Sequence, residues 1–382
     1  MSDKLLASII IDNYNYGHFI GEAINSALQQ SYQNIEVIVV DDGSTDNSRE
    51  IIRSYGEKII PVLKSNGGQA SAFNTGYYKS TGDVIFFLDS DDALFPEAVN
   101  NALQLFLSNP EITKVQWPLW IVDKNGKRTG ETKPSQVPPH GNLREAVLAG
   151  GPTSCASSPT SGNAWARHFL EKIFPVPEEV VYYKTCADEY LYTLAPVFGE
   201  IKTIAEPQGF YKIHGKNIYS ALSFDQKMKL ELDGRVEQTA VLSTLLRKYG
   251  FSIDENKWKD HSWFHRLRDA KKTIELNIPP GSSFILVDEA TWGDAKEMFP
   301  DYKVTSFIEH DGKYWGSPES DSQALEILQK LHEEGMRYVT FGWPSFWWLQ
   351  EYPKLHDYLR LHFNCIIQNK ELIIFDSLKN CC

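Results

Sequence analysis

Three short apolar runs, each ending in acidic or amide residues, constrain the fold of this chain more than any other feature. The runs and their polar ends are Ser8–Ile11 before Asp12-Asn13, Val37–Val40 before Asp41-Asp42, and Val84–Leu88 before Asp89-Ser90-Asp91-Asp92. β-branched and aromatic runs of this length predict buried strands, and each is followed by a segment of helical period. We therefore expect an α/β fold with a mainly parallel sheet flanked by helices. The carboxyl ends of its strands should bring the polar residues to one crevice.

Length and charge limit the classes of protein that fit this chain. Its 382 residues predict two or three domains, and a net charge of −12 argues against general binding to nucleic acid. No apolar run reaches the roughly 18 residues of a membrane span. The N-terminus does not resemble a signal peptide. We expect a cytoplasmic protein, with peripheral contact to the inner face of a membrane and homo-oligomerisation both left open.

Cysteine number and spacing indicate reduced thiols. The five cysteines are scattered, with no spacing typical of a disulfide framework or a metal site. Cys381-Cys382 end the chain, and we interpret them as a frayed tail, with lipidation or reactivity as the alternative.

The pattern along the chain predicts three segments. We assign residues 1–218 to an α/β domain, 219–280 to a helical connector and 281–382 to a second, smaller α/β domain after the linker Pro279-Pro280-Gly281. Residues 115–122 and the segment after Gly126 predict a hairpin. The Gly/Ser/Thr/Pro-rich stretch Gly150–Asn163 is typical of a mobile loop.

Asp89-Ser90-Asp91 is the clearest candidate metal site in the sequence. Two carboxylates one residue apart can hold one hard divalent ion, because oxygen ligands suit Mn²⁺ and Mg²⁺. Such a DXD pattern also occurs in solvated turns, which is the alternative interpretation. Its place directly after a predicted strand favours the metal site.

Several of these segments together resemble family 2 glycosyltransferases of the GT-A fold. The segments that carry the resemblance are Ser8–Asn15, Glu22–Asp46, Asn66–Gly76 and Gly82–Asp92. The likeness covers about residues 5–215 and implies inverting transfer of a sugar from a nucleotide-sugar donor, with UDP as the expected nucleotide. The implied acceptor is a hydroxyl of a glycan or of a lipid-linked or protein-linked molecule, in polysaccharide or glycoconjugate biosynthesis. Asp12 departs from the family pattern, which often has proline there.

The resemblance also assigns roles to individual residues. The implied donor-binding residues are Asp12, Asn13, Tyr14, Asn15, Asp41, Asp42, Asn66, Gln69, Asn74, Asp89, Ser90 and Lys212. The implied ligands of Mn²⁺ or Mg²⁺ are Asp91, as the main one, with Asp89 and His214. Turn chemistry and helix capping are the alternatives for the amides and for Asp41.

Asp188 matches the family's catalytic base, in an acidic pair whose commoner Glu is replaced here by Ala187. A carboxylate can take the proton from the acceptor hydroxyl as its oxygen attacks the anomeric carbon. Glu189 is a rival, but a helix turns it about 100° away from Asp188. The alternative for Asp188 is a carboxylate that only stabilises the helix N-terminus. Lys212 or Lys216 would add positive charge beside His214.

Two enzyme or binding classes compete with sugar transfer. A nucleotidyltransferase would need a glycine- and lysine/arginine-rich triphosphate loop after the first strand, where Asp12-Asn13-Tyr14 stands instead. A non-catalytic nucleotide-sugar-binding scaffold would be favoured by loss of Asp91 or Asp188, and both are present.

Aromatic residues and the C-terminal segment are harder to interpret. Trp117 and Trp165 are candidates for sugar stacking, although core packing is the simpler interpretation. Trp347-Trp348-Leu349 followed by Tyr352-Pro353 resembles an accessory domain found behind bacterial sugar transferases. Asp288-Glu289 follows another predicted strand and marks a second candidate crevice.

Overall fold

The computed structural model describes residues 4–123, 125–152, 154–215, 224–310 and 313–377. The chain divides into two compact units, residues 1–221 with 230–262 and residues 222–229 with 263–382. The domain limits expected from the sequence stay predictions, and the limit at 218, like Lys216 and Cys381-Cys382, lies outside the described residues. Cys155, Cys186 and Cys365, which are described, are free thiols. No described helix combines the length and the apolar character needed to cross a bilayer.

Strands and helices alternate through the first unit. Its strands are β1 (Ala7–Asn13), β2 (Ile35–Asp42), β3 (Ile60–Lys64), β4 (Val84–Asp89), β5 (Ala93–Leu94), β6 (Ile112–Gln116), β7 (Leu119–Val122), β8 (Arg128–Lys133), β9 (Asn163–Ala166), β10 (Glu200–Thr203) and β11 (Gly209–Lys212). Its helices are α1 (Ile20–Leu28), α2 (Ser48–Ser54), α3 (Gln69–Lys79), α4 (Ala98–Ser108), α5 (Arg144–Gly150), α6 (Arg167–Ile173), α7 (Ala187–Phe198), α8 (Phe224–Lys248, whose first residues belong to the second unit) and α9 (Glu255–His261).

The central sheet has the strand order β10-β6-β9-β4-β1-β2-β3. Every neighbouring pair is parallel except those that β9 makes with β4 and β6. The prediction of a mainly parallel α/β sheet is confirmed. In β1 the side chains of Ile9, Ile10 and Ile11 are fully buried. A strand covered on both faces reads as a continuous apolar run, which is why the sequence pattern identified it.

Helix α3 lies unusually close to this sheet. A Cβ atom built on Gly76 would collide with the side chain of Ile10, so only glycine permits this approach. The close packing holds the N-terminus of α3, beginning at Gln69, in place relative to the ends of β1 and β2.

A smaller sheet of order β5-β11-β7-β8 lies beside the central one. β7 and β8 form the antiparallel hairpin that the sequence predicts. The hairpin starts at Leu119 rather than at residue 115, because Ile112–Gln116 belongs to the central sheet as β6.

The expectation of a mobile loop over Gly150–Asn163 is wrong for its second half. Thr160–Gly162 forms a short 3₁₀ helix and β9 begins at Asn163, and both elements are buried. The Asn163 amide donates to the carbonyl oxygens of Ser158 and Pro159, at 3.1 and 2.7 Å. Together with the bond from the Ser161 hydroxyl to Asp92, these hydrogen bonds offset part of the cost of burying the segment, and the loop composition does not produce mobility.

The second unit contains another α/β sheet. Its strands are β12 (Ser283–Val287), β13 (Lys303–Ser306), β14 (Glu309–His310), β15 (Lys313–Tyr314), β16 (Tyr338–Gly342), β17 (Asn364–Gln368) and β18 (Leu372–Asp376). Its helices are α10 (Trp263–Asn277), α11 (Ala295–Met298), α12 (Asp321–Glu333), α13 (Trp348–Glu351) and α14 (Pro353–His362). The main sheet has the order β13-β12-β16-β18-β17, with β12 parallel to β13 and β16 and with β18 antiparallel to β16.

Candidate active site

Acidic side chains gather at the carboxyl ends of β1 and β4. Oxygen atoms of Asp89, Asp91 and Asp92 lie within 4.8 Å of one another. Asp12, at the end of β1, is the register neighbour of Asp89. The parallel pairing of the two strands therefore brings the Asp12 carboxyl group to the same edge of the sheet as the three carboxyl groups that follow β4.

Asp92 is occupied by contacts within the protein. One of its carboxylate oxygens accepts the Ser161 hydroxyl at 2.7 Å, and the other accepts the backbone N–H of Lys212 at 3.1 Å. The Ser161 hydroxyl in turn accepts the backbone N–H of Asp89 at 3.1 Å. Asp92 thus ties the end of β4 to β11 and to the 3₁₀ helix before β9, a role that the sequence analysis missed.

Asp91 lies against His214 instead. Its carboxylate is 2.9 Å from the Nε2 atom of His214, although the two residues are 123 positions apart in the chain. The imidazole is stacked on Phe19 with ring centroids 4.4 Å apart, and the edge of Tyr16 packs near it. This packing fixes the ring, so that Asp91 and His214 can present a carboxylate oxygen and a ring nitrogen to one cation.

Burial and mutual repulsion disfavour ionisation of the acidic cluster. The pKa of Asp12 is raised to about 8, first by burial and then by the charges of Asp91, Asp188 and Asp42. Burial and neighbouring carboxylates also raise the pKa values of Asp89 and Asp92. Among the described residues, the buried Oδ1 atom of Asp12 has no hydrogen-bond partner. A divalent cation would relieve both the repulsion and the unsatisfied oxygen, so these residues fit such an ion.

The loop after β1 is braced against the loop after β2. The Asn13 amide donates to Asp41 at 3.0 Å and to the Ser44 hydroxyl at 3.1 Å, and Asp41 is paired with Arg49 at 2.6 Å. The left-handed backbone of Asn15, with φ of +59°, lets its side-chain oxygen accept the N–H of Thr45 at 2.7 Å. Asn13 and Asp41 therefore shape the loops, whereas Tyr14 is exposed.

Asp42 organises the segment that precedes α3. Its carboxylate accepts the backbone N–H groups of Gly67 and Gly68 at 3.0 and 2.7 Å and pairs with Lys64 at 2.6 Å. The Asn66 amide donates to the Asp42 carbonyl at 2.9 Å. The glycine pair is thereby held beside the strand ends.

Gln69 connects the acidic cluster with α7, whereas Asn74 does not. The Gln69 amide lies 3.4 Å from Asp89 and its oxygen accepts the N–H of Ala187 at 2.9 Å. Asn74 is buried further along α3, and its amide donates to the carbonyl of Val176 at 2.8 Å. The structure thus places Asn74 in the scaffold rather than at the strand ends. Ser90 is buried as well.

The two acidic residues at the start of α7 have different surroundings. Glu189 accepts hydrogen bonds from Arg235 and Gln238, each at 3.0 Å. Asp188 is half-buried on another side of the helix, and desolvation together with the Glu189 charge raises its pKa to about 6, while a hydrogen bond from Thr160 opposes that shift. Asp188 is therefore the carboxylate suited to gaining and losing a proton near neutral pH.

Two lysines, Lys212 and Lys133, lie near the acidic groups and have different partners. The Lys212 ammonium pairs with Glu22 and lies over the ring of Phe19. Lys133 donates to the Tyr211 hydroxyl at 3.1 Å, and burial lowers its pKa while Asp92, Asp188 and Asp89 raise it. The sequence analysis missed Lys133, because only the β7–β8 hairpin brings it near these carboxylates.

Lys114 is a second basic residue that the sequence analysis missed. Its ammonium is buried on β6 and donates to Gln116 at 2.9 Å and to the Ser157 hydroxyl at 2.5 Å. Burial lowers its pKa to about 7, and the charge of Asp188 opposes that shift. A lysine between the apolar residues Ile112 and Val115 of a short strand was the available sequence signal. Trp165 lies beneath this ammonium and is fully buried in the core, as is Trp117.

Comparisons with known proteins agree with this architecture. The family model described as glycosyl transferase family 2 matches residues 8–162. An uncharacterized glycosyltransferase from Nostoc sp. is 36% identical over 237 residues, which are 61% of this chain and 72% of that protein. An uncharacterized glycosyltransferase from Rickettsia conorii is 38% identical over 147 residues, 37% of this chain and 24% of that protein.

A solved structure shares the fold. The crystal structure of S. aureus TarS 1–349 in complex with UDP-GlcNAc has a TM-score of 0.50 and 18% sequence identity. The similarity covers 72% of this chain and 76% of the TarS chain.

Proposed function

The chain belongs to glycosyltransferase family 2 and is a glycosyltransferase, and from this premise we propose that it carries out metal-dependent, inverting transfer from a nucleotide-sugar to a hydroxyl acceptor. One observation carries the proposal. Asp91 and His214 meet beside Asp89, while Asp188 supplies a separate carboxylate with a pKa of about 6. The site thus combines a cation-binding group with a base.

Asp91, Asp89 and His214 are the residues that would hold Mn²⁺ or Mg²⁺. Asp92 is less suited, because both of its oxygens accept hydrogen bonds from the protein. The unsatisfied buried oxygen of Asp12 adds to the demand for positive charge. When bound, the ion supplies charge that stabilises the departing diphosphate.

Asp188 would act on the acceptor. Its carboxylate takes the hydroxyl proton while the acceptor oxygen forms a bond to the anomeric carbon. The bond between that carbon and the diphosphate oxygen breaks, and the nucleoside diphosphate leaves with the bonding electrons. Attack from the side opposite the leaving group inverts the configuration, through a transition state of oxocarbenium character. The hydrogen bonds of Glu189 to Arg235 and Gln238 keep this second carboxylate out of the reaction.

Donor, acceptor and location belong to the same proposal. The UDP-GlcNAc bound by the TarS neighbour supports UDP as the nucleotide. The loops after β1 and β2, braced by Asn13, Asp41 and Asp42, would line the nucleotide pocket. We propose a glycan, lipid-linked or protein-linked acceptor in polysaccharide or glycoconjugate synthesis. The proposed location is the cytoplasm, including the inner face of a membrane.

Thermal unfolding with UDP tests the metal-dependent site. UDP should raise the Tm of the protein when Mn²⁺ is present and should have little effect in EDTA, because a ligand stabilises only the state that binds it. Asp91→Ala should abolish the Mn²⁺-dependent increase, while the surface control Asp269→Asn should retain it. An equal increase with and without the cation would contradict the metal-dependent proposal.

Product analysis tests the base. Asp188→Asn should retain the UDP-dependent Tm increase and lose sugar transfer, because the amide cannot accept the hydroxyl proton. Transfer at the unsubstituted rate would remove Asp188 from the mechanism. Release of pyrophosphate from a nucleoside triphosphate would instead identify a nucleotidyltransferase.

A further inference from the structure

The second unit has its own crevice at the carboxyl ends of β12 and β16. β12 is the first strand of the sheet in sequence, and it lies between β13 and β16, both parallel to it. The connections from β12 to β13 and from β13 to β16 therefore run to opposite sides of β12. This reversal is the topological switch point at which open α/β sheets bind ligands. We define the second-unit crevice by residues 288–292 after β12 and 343–348 after β16.

A carboxylate is held at this crevice by strained backbone. Asp288 closes the turn by accepting the N–H groups of Ala290 and Trp292, at 3.2 and 2.9 Å. Glu289 and Ala290 both adopt left-handed backbone, with φ of +56° and +54°. Non-glycine residues rarely adopt such angles. The Glu289 carboxylate is oriented by the Trp348 indole N–H, which donates to it at 3.1 Å.

Tryptophans form the other part of the crevice. Trp348 is fully buried and Trp292 is 2% exposed, so both serve as supports. One face of Trp343 is covered by the Arg266 guanidinium, 4.4 Å from the ring centroid. Trp347 is 41% exposed, and its ring centroid is 6.1 Å from that of Trp348. The crevice therefore presents one open aromatic surface close to the indole that holds Glu289.

Unsatisfied polar atoms point to a polar occupant. The indole nitrogen of Trp292 and the hydroxyl of Ser345 are buried, and neither has a hydrogen-bond partner among the described residues. One of these residues belongs to each loop of the crevice. Buried donors without partners are uncommon in native proteins and call for a bound partner such as a ligand hydroxyl or water.

We propose that the second-unit crevice binds a neutral saccharide. The aliphatic face of a sugar ring can stack on Trp347, and its hydroxyl groups can donate to the partly exposed Glu289 carboxylate. Asp288 and Glu289 repel anionic ligands. The turn Asp288–Trp292 contains no glycine, unlike the turns that cradle phosphate at such positions. A quaternary ammonium would require several open aromatic faces around it, and the crevice offers one.

Calorimetric titration of the full chain with four neutral hexasaccharides tests this proposal. The probes are maltohexaose, cellohexaose, mannohexaose and chitohexaose, each titrated up to about 5 mM to detect the modest affinity of a single stacking platform. At least one should bind saturably. Trp347→Ala should weaken that binding about tenfold or more, the loss expected for an interface anchor, and Trp347→Phe should restore part of it.

Tyr78→Ala is the matched control, because Tyr78 is an exposed aromatic residue of the first unit. Its saccharide affinity should be unchanged. Absence of binding to all four probes would overturn the proposal. Binding that is unchanged in Trp347→Ala would also overturn it, and so would displacement of the bound saccharide by choline chloride or polygalacturonate. The UDP-dependent Tm increase, measured on the same variants, reports the proposed transferase site separately, so the two proposals fail independently.

Discussion

Acidification should slow sugar transfer by protonating Asp188. The pKa of this carboxyl is about 6, raised mainly by burial. A base must be ionised to accept a proton, so activity should fall as the pH decreases through that value. A group of this pKa is about 91% ionised at pH 7 and about 9% at pH 5, which predicts a roughly tenfold lower rate at pH 5.

Lys114 provides an internal test of that cause. Its charge lowers the pKa of Asp188. Removing that charge in Lys114→Met should therefore raise the pH at which activity falls, which we call the acidic limb of the pH–rate profile. Lys114→Arg keeps the charge and should leave the limb near its original position. Asp188 also interacts electrostatically with other charged and titratable groups on several helices and strands. These groups are Glu189, Asp12, Asp89, Lys133, Cys186, Tyr192 and Tyr211. All of them are retained in both variants.

The assay is the initial rate of UDP release with donor and acceptor well below their KM values, measured from pH 4.5 to 8.5 with Mn²⁺ present, because kcat/KM reports the pKa of the base in the unliganded enzyme. Lys202→Met is the matched control, because Lys202 is a lysine that pairs with Glu200. Thermal unfolding checks that each variant remains folded over this range. A rate independent of pH down to 5, or a limb that Lys114→Met leaves in place, would refute the assignment of the limb to Asp188.

Two further predictions concern stability. Arg235→Met should lower the free energy of unfolding by about 3–5 kcal/mol in urea denaturation, because it leaves the carboxylates of Glu189 and Glu231 buried without their cation. A change below about 1 kcal/mol would contradict this role. Mn²⁺ should raise the Tm more at pH 8 than at pH 6. The pKa of Asp12 is higher in the folded than in the unfolded protein, so its ionisation lowers the stability of the folded state as the pH rises. A bound cation offsets that loss. Equal increases at both pH values would count against Asp12 contributing.

The sequence predicted the architecture well wherever the signal was local. The apolar runs of β1, β2 and β4 and the polar residues that end them are consecutive in the chain, so periodicity alone identified them. Composition misled the interpretation of residues 158–163. Their hydroxyl and amide groups suggest a loop, yet most of these residues are buried, and the Ser161 hydroxyl and the Asn163 amide nitrogen donate hydrogen bonds that the sequence does not display.

The sequence by itself determined which chemical groups stand at the strand ends, because strand formation and the identity of the next residue are both local properties. Only the tertiary structure decided how each carboxylate is used. Asp92 is engaged by Ser161, Asp91 meets His214, and Glu189 is held by Arg235, all through contacts between residues 46 to 123 positions apart. Burial and charge at such contacts set the availability and the pKa of a carboxylate, and both depend on neighbours that only the folded chain brings together.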